Sequence, residues 1–445
     1  MGQLNRWLDL RTRPFLSWTR LHRVALGIVD QGFTVGGIFV ANVVLARSVT
    51  KEEYGMFAVV YSVFNFLTGL HNAAILEPYS VYGPGRYRNY SAAYRWLIWR
   101  SNIWLGFALT ALLLLVARLL SRAAPNLGSR SLVGLALSCA IVLTASLLRR
   151  MLYVDRKVGQ AARMSFAFFL TVVSLLGFAK RAGVLDGLSV FLIFALGSIV
   201  GGLVVNQELP RKVSLERFVA AQPEHWSQHW VYARWVLATA FVFQFMTQAY
   251  YWLAAGFLSL KDVAELRALV MLAVPVDQVF TAITQLVLPV MAGYYASNRI
   301  GELLSLCKTY SLVFLAISSG FVLGIQLLGR PLMHLIYGGK FDDVSSLLGT
   351  LALLPLLMGL GNTMNATLKS VEKPNMAFYA YVTSGVATFV AGIPLMMHFG
   401  LRGAVYGMLL SASVYTATLG IGFLSQMPRL RRLQMAVCGD EAAVS

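Results

Sequence analysis

Near its start the chain holds a run of 23 residues, Val24 to Ala46, with no Lys, Arg or Pro. At 1.5 Å per residue such a run crosses a hydrocarbon core about 30 Å thick. A polar turn follows, RSVTKEEYG at 47–55, and then a second apolar run reaching Ile75. In the turn, Thr50 has Glu53 three residues on, the pattern of a capping box. Glu52 and Glu53 fall where a new helix presents its positive end. The stretch therefore predicts a hairpin of two membrane helices. It carries Asp30, Gln31, Asn42, Asn65, His71 and Asn72, none of which hydrocarbon can solvate, so it needs further helices around it.

The remaining sequence supplies them. With 58% hydrophobic and 13% charged residues over 445 positions, the chain reads as an all-α polytopic membrane protein. Twelve membrane helices are expected, at 24–46, 54–76, 96–117, 131–153, 163–179, 188–206, 232–257, 266–290, 308–328, 347–368, 375–397 and 403–425. They divide into a six-helix lobe at 24–206 and a second at 232–425, joined by a polar, Pro-punctuated linker at 207–231. Residues 1–23 form a basic amphipathic tail suited to a cytoplasmic leaflet, and 426–445 a second cytoplasmic tail. Leu215, Phe218 and Val219 followed by Trp226 and Trp230 predict an interfacial helix in the linker.

A net charge of +18 in so apolar a chain belongs to loops. With both termini placed in the cytoplasm, 25 of the 37 basic residues fall inside, as the positive-inside bias requires. Arg118, Arg122 and Arg130 are a local exception. No soluble domain is present to bind nucleic acid. Cys139, Cys307 and Cys438 are far apart, without the spacing of a disulfide framework or a zinc site. Gly83-Pro84-Gly85 lacks the GK[ST] of a P-loop, and His225 and His229 lack the glutamate of a metalloprotease helix. No Ser/His/Asp set shares a neighbourhood. Neither enzyme chemistry, a metal nor a cofactor is expected.

The sequence also repeats. SVTKEEYG at 48–55 is echoed by SLKDVAEL at 259–266, and LLRRMLYVDRKVGQAARMSF at 147–166 by NATLKSVEKPNMAFYAYV at 365–382. Two six-helix halves of the same topology constitute a parallel repeat about the membrane normal.

VVLARSVTKEEYGMFAVVYSV at 43–63 resembles the first helix–turn–helix of the multidrug/oligosaccharidyl-lipid/polysaccharide (MOP) exporter superfamily, in its polysaccharide-transporter branch. The 147–166 segment, GRPLMHLIYGGKFDDVSSLLGTLALLPLLMGLGN at 329–362, and NATLKSVEKPN followed by GIPLMMHFGLRGAVYGMLLS resemble the same branch in the same order. The segment EPYSVYGPGRYRNYSAAYR after helix 2 departs from it. The resemblance implies two lobes around a cavity open alternately to either side of the bacterial inner membrane. It further implies a flippase for a lipid-linked oligosaccharide feeding O-antigen, capsule or exopolysaccharide, with a glycan polymerase or glycosyltransferases as neighbours. A cation-coupled multidrug exporter of the same fold is the alternative, followed by a membrane enzyme of glycan assembly.

Candidate site residues follow from polar groups at membrane depth. Asp277, two after Pro275, forms a stripe with Thr281, Thr284 and Gln285 at helical spacing. A carboxylate there either lines a cavity with Gln285, where it is suited to coupling transport to an ion, or pairs with a donor on helix 7; Gln244 and Gln248 are that donor row or the facing, substrate-binding cavity wall. Asp30, Gln31 and Asn72 are further cavity candidates, although polar residues also glue helices together. Arg86 and Arg88 after helix 2, and Arg149, Arg150 and Arg156 after helix 4, are two basic sets. Each can hold a pyrophosphate through bidentate forks or anchor the loop to anionic phospholipid.

Overall fold

In a computed structural model of the chain, described for residues 18–82, 91–123, 129–205, 215–373 and 375–444, every regular element is helical. The helices are α1 (Trp18–Ser48), α2 (Lys51–His71, continued through Asn72–Leu76 and Glu77–Tyr82), α3 (Ser91–Ala123), α4 (Ser129–Val154), α5 (Val158–Arg181) and α6 (Gly187–Leu203). Then come α7 (Leu215–Phe257), α8 in two pieces (Leu260–Met271 and Val274–Ala296), α9 (Ile300–Tyr337) and α10, whose main part is Leu353–Ser370 after a 3-10 turn at Asp342–Leu347. Asn375–Ala387 and Thr388–Gly392 begin α11, which runs into Ile393–Val444; Gly400, at φ 58°, turns that last segment, so residues 401–444 make α12. Among the described residues twelve helices thus stand where twelve were expected. Their faces carry apolar side chains outward, among them Trp104, Phe107, Leu115, Leu327 and Val390, as a lipid-facing surface requires.

Several boundaries differ from the sequence reading. The eighth helix is not continuous over 266–290: it breaks at Leu272–Ala273, and Pro275 opens the second piece instead of kinking one long helix. The ninth runs well beyond 308–328 at both ends. The second does not stop at residue 76 but passes through a π-helical turn and continues to Tyr82. The linker helix is not a separate element, because α7 runs unbroken from Leu215. The basic tail at 1–17, the loop at 83–90 and residues 206–214 lie outside the described residues.

The repeat is visible in the ends of the helices. Thr50 caps α2 by accepting from the Glu53 amide, with the Glu53 side chain returning to the Thr50 amide. Ser259 caps α8 by accepting from the Asp262 amide in the same way. The caps pair Thr50 with Ser259, one residue out of step with the pairing of Lys51 and Lys261 that letters alone suggest. After α4, the Lys157 amide donates to Leu152 O across Arg156 at φ 60°. After α10, the Lys373 amide donates to Leu368 O across Glu372 at φ 64°. Both are left-handed helix stops that satisfy terminal carbonyls, occupied here by side-chain residues where glycine is usual.

The chain forms two compact units. One comprises the described residues of Met1–Asn42, Ala74–Ala123 and Leu132–Ala233. Its core joins Ile75 and Tyr79 to Tyr94, Ile98, Leu147 and Met151. The other comprises Val43–Ala73, Ala124–Ser131 and Arg234–Ser445, so the end of α1 and most of α2 pack with the second half of the sequence. The reason is steric and electrostatic. A Cβ on Gly55 would fall 1.8 Å from Leu260 O, so α2 and α8 approach to backbone contact there. Lys51 Nζ lies 2.8 Å from both Glu265 Oε1 and Asp343 Oδ2.

Two further cations act as exchanged caps. Arg47, at the end of α1, donates to Ile336 O at 2.6 Å and also to Leu335 O, at the end of α9. Lys340, just past α9, donates to Ala46 O at 2.8 Å and also to Val49 O. Each thus satisfies carbonyls that a helix end leaves open, where a cation also meets the negative pole. Arg267 is buried, its guanidinium 4.5 Å from the centre of the Tyr61 ring and 5.7 Å from that of Tyr251. With both termini cytoplasmic all four fall in segments assigned to the outside, and each is held by groups of the protein itself.

Two variants test this junction. Gly55→Val is expected to destabilise the detergent-solubilised protein by about 3 kcal/mol or more, since overpacking against rigid backbone has no cheap relief. Lys51→Glu is expected to lower the melting temperature, and adding Glu265→Lys to recover most of the loss. A reversed pair no more stable than Lys51→Glu alone would show that the ion pair contributes nothing to the junction.

Candidate functional site: buried charge at membrane depth

In the first unit the chemistry gathers on Asp30. It sits six residues after Val24, about 9 Å into the apolar run of α1, and is fully buried. Its Oδ2 accepts from Arg149 Nε at 2.9 Å, Arg149 Nη2 at 2.5 Å and the Tyr153 hydroxyl at 2.6 Å. Its Oδ1 accepts from Ser165 Oγ, to which Thr34 also donates. Local helix geometry explains the assembly: Arg149 and Tyr153 stand at i and i+4 on α4, so both reach one point on α1, and Ser165 closes it from α5. A carboxylate buried in hydrocarbon is stable only with its lone pairs filled and its charge balanced. Here both conditions hold.

Sequence reasoning placed Asp30 with the cavity residues and Arg149 with the headgroup residues; the structure makes them one site. Tyr153 and Ser165 were missed, although the spacing of Arg149 and Tyr153 signals a shared target. The ion pair is unevenly covered. The Asp30 side chain has no exposure, whereas 19% of the Arg149 side chain is accessible, so the cation presents a face and the anion does not.

The other basic residues fare differently. Arg95 pairs with Asp155 at 2.9 Å. Arg150 is half-buried, with Glu77 acting on it as a counter-charge. Arg156 is exposed and occupies the left-handed stop after α4, so its backbone serves the turn. Arg86 and Arg88 lie outside the described residues. The histidine pair gives no metal site, and no cluster of metal ligands occurs among the described residues. His229 is buried instead, 2.8 Å from Ala74 O through Nε2 and 3.0 Å from the Tyr94 hydroxyl through Nδ1. Burial holds its imidazole below the ordinary histidine range, which suits a neutral ring that donates to the carbonyl and accepts from the tyrosine.

In the second unit, Asp277 occupies the first turn of the second piece of α8, a few residues past the break. An anion is favoured at that positive helix end. Its side chain is exposed and forms no hydrogen bond or ion pair with the described residues, so the alternative of a structural partner on α7 is not realised. The stripe beside it divides. Thr281 and Thr284 return their hydroxyls to Asp277 O and Phe280 O, and Thr284 also meets the Tyr310 hydroxyl. Gln285 is exposed. Asn72 opens the π-helical turn of α2 and is half-buried, and Gln31 is exposed in the first unit. Gln244 lies against Gly69, where a Cβ would come within 2.0 Å of its Nε2, and Gln248 is buried.

No known family profile matches the chain, and no curated protein does. Solved structures do. The inward-facing conformation of a multidrug resistance MATE family transporter of the MOP superfamily aligns with a TM-score of 0.74 at 14% identity, over 92% of this chain and 99% of its own. The outward-facing conformation of such a transporter aligns at 0.65 and 14% identity, over 93% and 95%. A MOP superfamily transporter from Pyrococcus furiosus, described by a binding pocket of reverse polarity, aligns at 0.65 and 13% identity, over 93% and 96%. Nearly the whole of each chain is matched, in element order and topology. The protein has the two-lobed, twelve-helix fold of MOP superfamily transporters.

Proposed function

We propose that the chain is an alternating-access exporter in a bacterial inner membrane. Its cargo is an amphiphile with an anionic head, specifically a polyprenyl-diphosphate-linked oligosaccharide for a surface polysaccharide. One observation carries the anionic head: at the Asp30–Arg149 pair the cationic side chain is partly accessible and the carboxylate side chain is wholly covered. A phosphate can approach that fork and share it. A cationic drug would need the carboxylate to be the accessible side. Without an ATP-binding motif, the driving force is a gradient or consumption of the product, and the bulky head crosses as the helices rearrange around it.

Binding of a short-chain polyprenyl diphosphate tests the anion reading. Arg149→Lys is expected to weaken it about tenfold or more, because the charge remains and the fork is lost. Arg149→Ala alone strands a buried carboxylate and is expected to cost about 3–5 kcal/mol of stability. Asp30→Asn with Arg149→Gln removes both charges and is expected to regain stability without regaining binding. If this double variant binds the diphosphate as the wild type does, Arg149 is an anchor of α1 and not a headgroup residue.

The multidrug reading has one observation in its favour, the unpaired carboxylate of Asp277. In the exporter proposed here that carboxylate alternates between charged and neutral as its surroundings open and close, which couples transport to a cation. Asp277→Asn is expected to insert and fold normally, to bind the diphosphate lipid, and to export little glycan; Asp277→Glu is expected to keep part of the activity. Full export by the Asn variant at mildly acidic and mildly basic external pH would leave Asp277 without a coupling role. Uptake of hydrophobic cations competing with protons, in place of glycan export, would favour the multidrug reading.

A further inference from the structure

One face of α7 in the second unit has polar atoms that its own surroundings leave unused. Phe241, Gln244, Phe245, Gln248 and Trp252 recur at three- and four-residue spacing, so they share that face. Gln248 is 6% exposed, and its Oε1 has no hydrogen-bond partner among the described residues. One turn on, the Trp252 indole Nε1 is inaccessible to solvent and likewise has none. A buried acceptor and a buried donor are left one helical turn apart, each with a desolvation cost that a partner would remove.

Their setting is aromatic. The Trp252 ring stands 5.6 Å from Phe66 at 73° and 5.5 Å from Phe245 at 59°. Phe66 in turn meets Phe241 at 5.5 Å. On α2, Gly69 removes the side chain that would otherwise fill the space beside Gln244, bringing the amide against the backbone three residues along from Phe66. Gln248 lies nine residues before the end of α7 at Phe257, about 14 Å at helical rise and so near the middle of a hydrocarbon core. At that depth lipid offers nothing to an orphaned carbonyl or indole N–H.

One common group answers both atoms. A hydroxyl can both donate to a glutamine Oε1 and accept from an indole N–H, whereas a carboxylate or phosphate cannot donate and an alkylammonium cannot accept. Aromatic rings beside such polar atoms offer flat apolar surface to the C–H face of a pyranose. We infer that this face of α7, with Phe66 and Gly69 of α2, is a saccharide-binding subsite that takes a sugar ring through its hydroxyls. The inference rests on the exporter reading for its cargo, but the subsite is separate from Arg149: it reads the sugar, not the phosphate.

The test uses the full chain in lipid nanodiscs and three probes: a short-chain polyprenyl diphosphate bearing N-acetylglucosamine, the same diphosphate without sugar, and octyl glucoside. The sugar-bearing diphosphate is expected to bind about tenfold more tightly than the bare one, the scale of one or two neutral hydrogen bonds. Trp252→Phe, which keeps a ring and removes the N–H, and Gln248→Leu are each expected to shrink that margin several-fold. Both should weaken octyl glucoside in parallel and leave the bare diphosphate unchanged. Gln248→Leu removes an unpaired buried polar group at similar volume and is expected to melt no lower than the wild type. Equal binding of sugar-bearing and bare probes by the wild type overturns the subsite, as do variants that keep the full margin. A sugar margin that persists while the bare diphosphate fails to bind would keep the subsite and remove the anionic-head reading instead. Loss of tetraphenylphosphonium binding in Trp252→Phe, with sugar probes unaffected, would make the face a drug pocket and overturn the proposal.

Discussion

The pairing of Asp30 with Arg149 sets the terms for the first unit. A carboxylate with no exposure, about 9 Å inside the apolar run of α1, is stable only because α4 and α5 bring a guanidinium and two hydroxyls to it. That requirement fixes more than one contact. It sets the rotation of α1 about its axis and the register of α4 along it. It also explains why α1 can be so apolar on its other faces: helix association in lipid gains little from burying more hydrocarbon, so specificity falls to the few polar groups that must meet.

Much of this architecture was legible in the sequence because the bilayer makes length and polarity decisive. The capped turn at Thr50, the twelve apolar stretches and the repeat all follow from local patterns, and the structure reproduces them. What was not legible is contact between distant helices. Asp30 and Arg149 are 119 positions apart, and nothing in either local pattern names the other. The break in α8 was also hidden. Pro275 reads equally as a kink within a helix or as an early residue of a new one, and only packing decides which.

Charge counting illustrates the same limit from another side. Orientation by loop charge treats each Lys and Arg as free to choose a side. Arg47 and Lys340 are instead bound to the carbonyl ends of each other's helices, Lys51 to two carboxylates, and Arg267 among tyrosine rings. Arg95 and Arg149, on the side assigned to the cytoplasm, are held by carboxylates in the same way, so structural cations occur on both sides. Arg118 and Arg122 remain exposed on the opposite side, and no contact of theirs explains it.

The break in α8 shows how irregular backbone survives at membrane depth. Met271, Leu272 and Ala273 are all buried, so the interruption is covered by protein and not by lipid, as it must be. Its amides are also satisfied: Leu272 N reaches Leu269 O, Ala273 N reaches Val270 O, and Val276 N reaches Ala273 O, tight turns that bridge the two pieces. A helix joined in this way can change the angle between its halves without exposing an unpaired peptide. The piece before the break carries Glu265 and Arg267, held in the junction with α1 and α2, while the piece after it begins with Asp277, whose carboxylate is unheld. One half is anchored and the other carries an exposed charge at its positive end. In a helix built this way, Asp277 stands just past a break and not within one continuous rod.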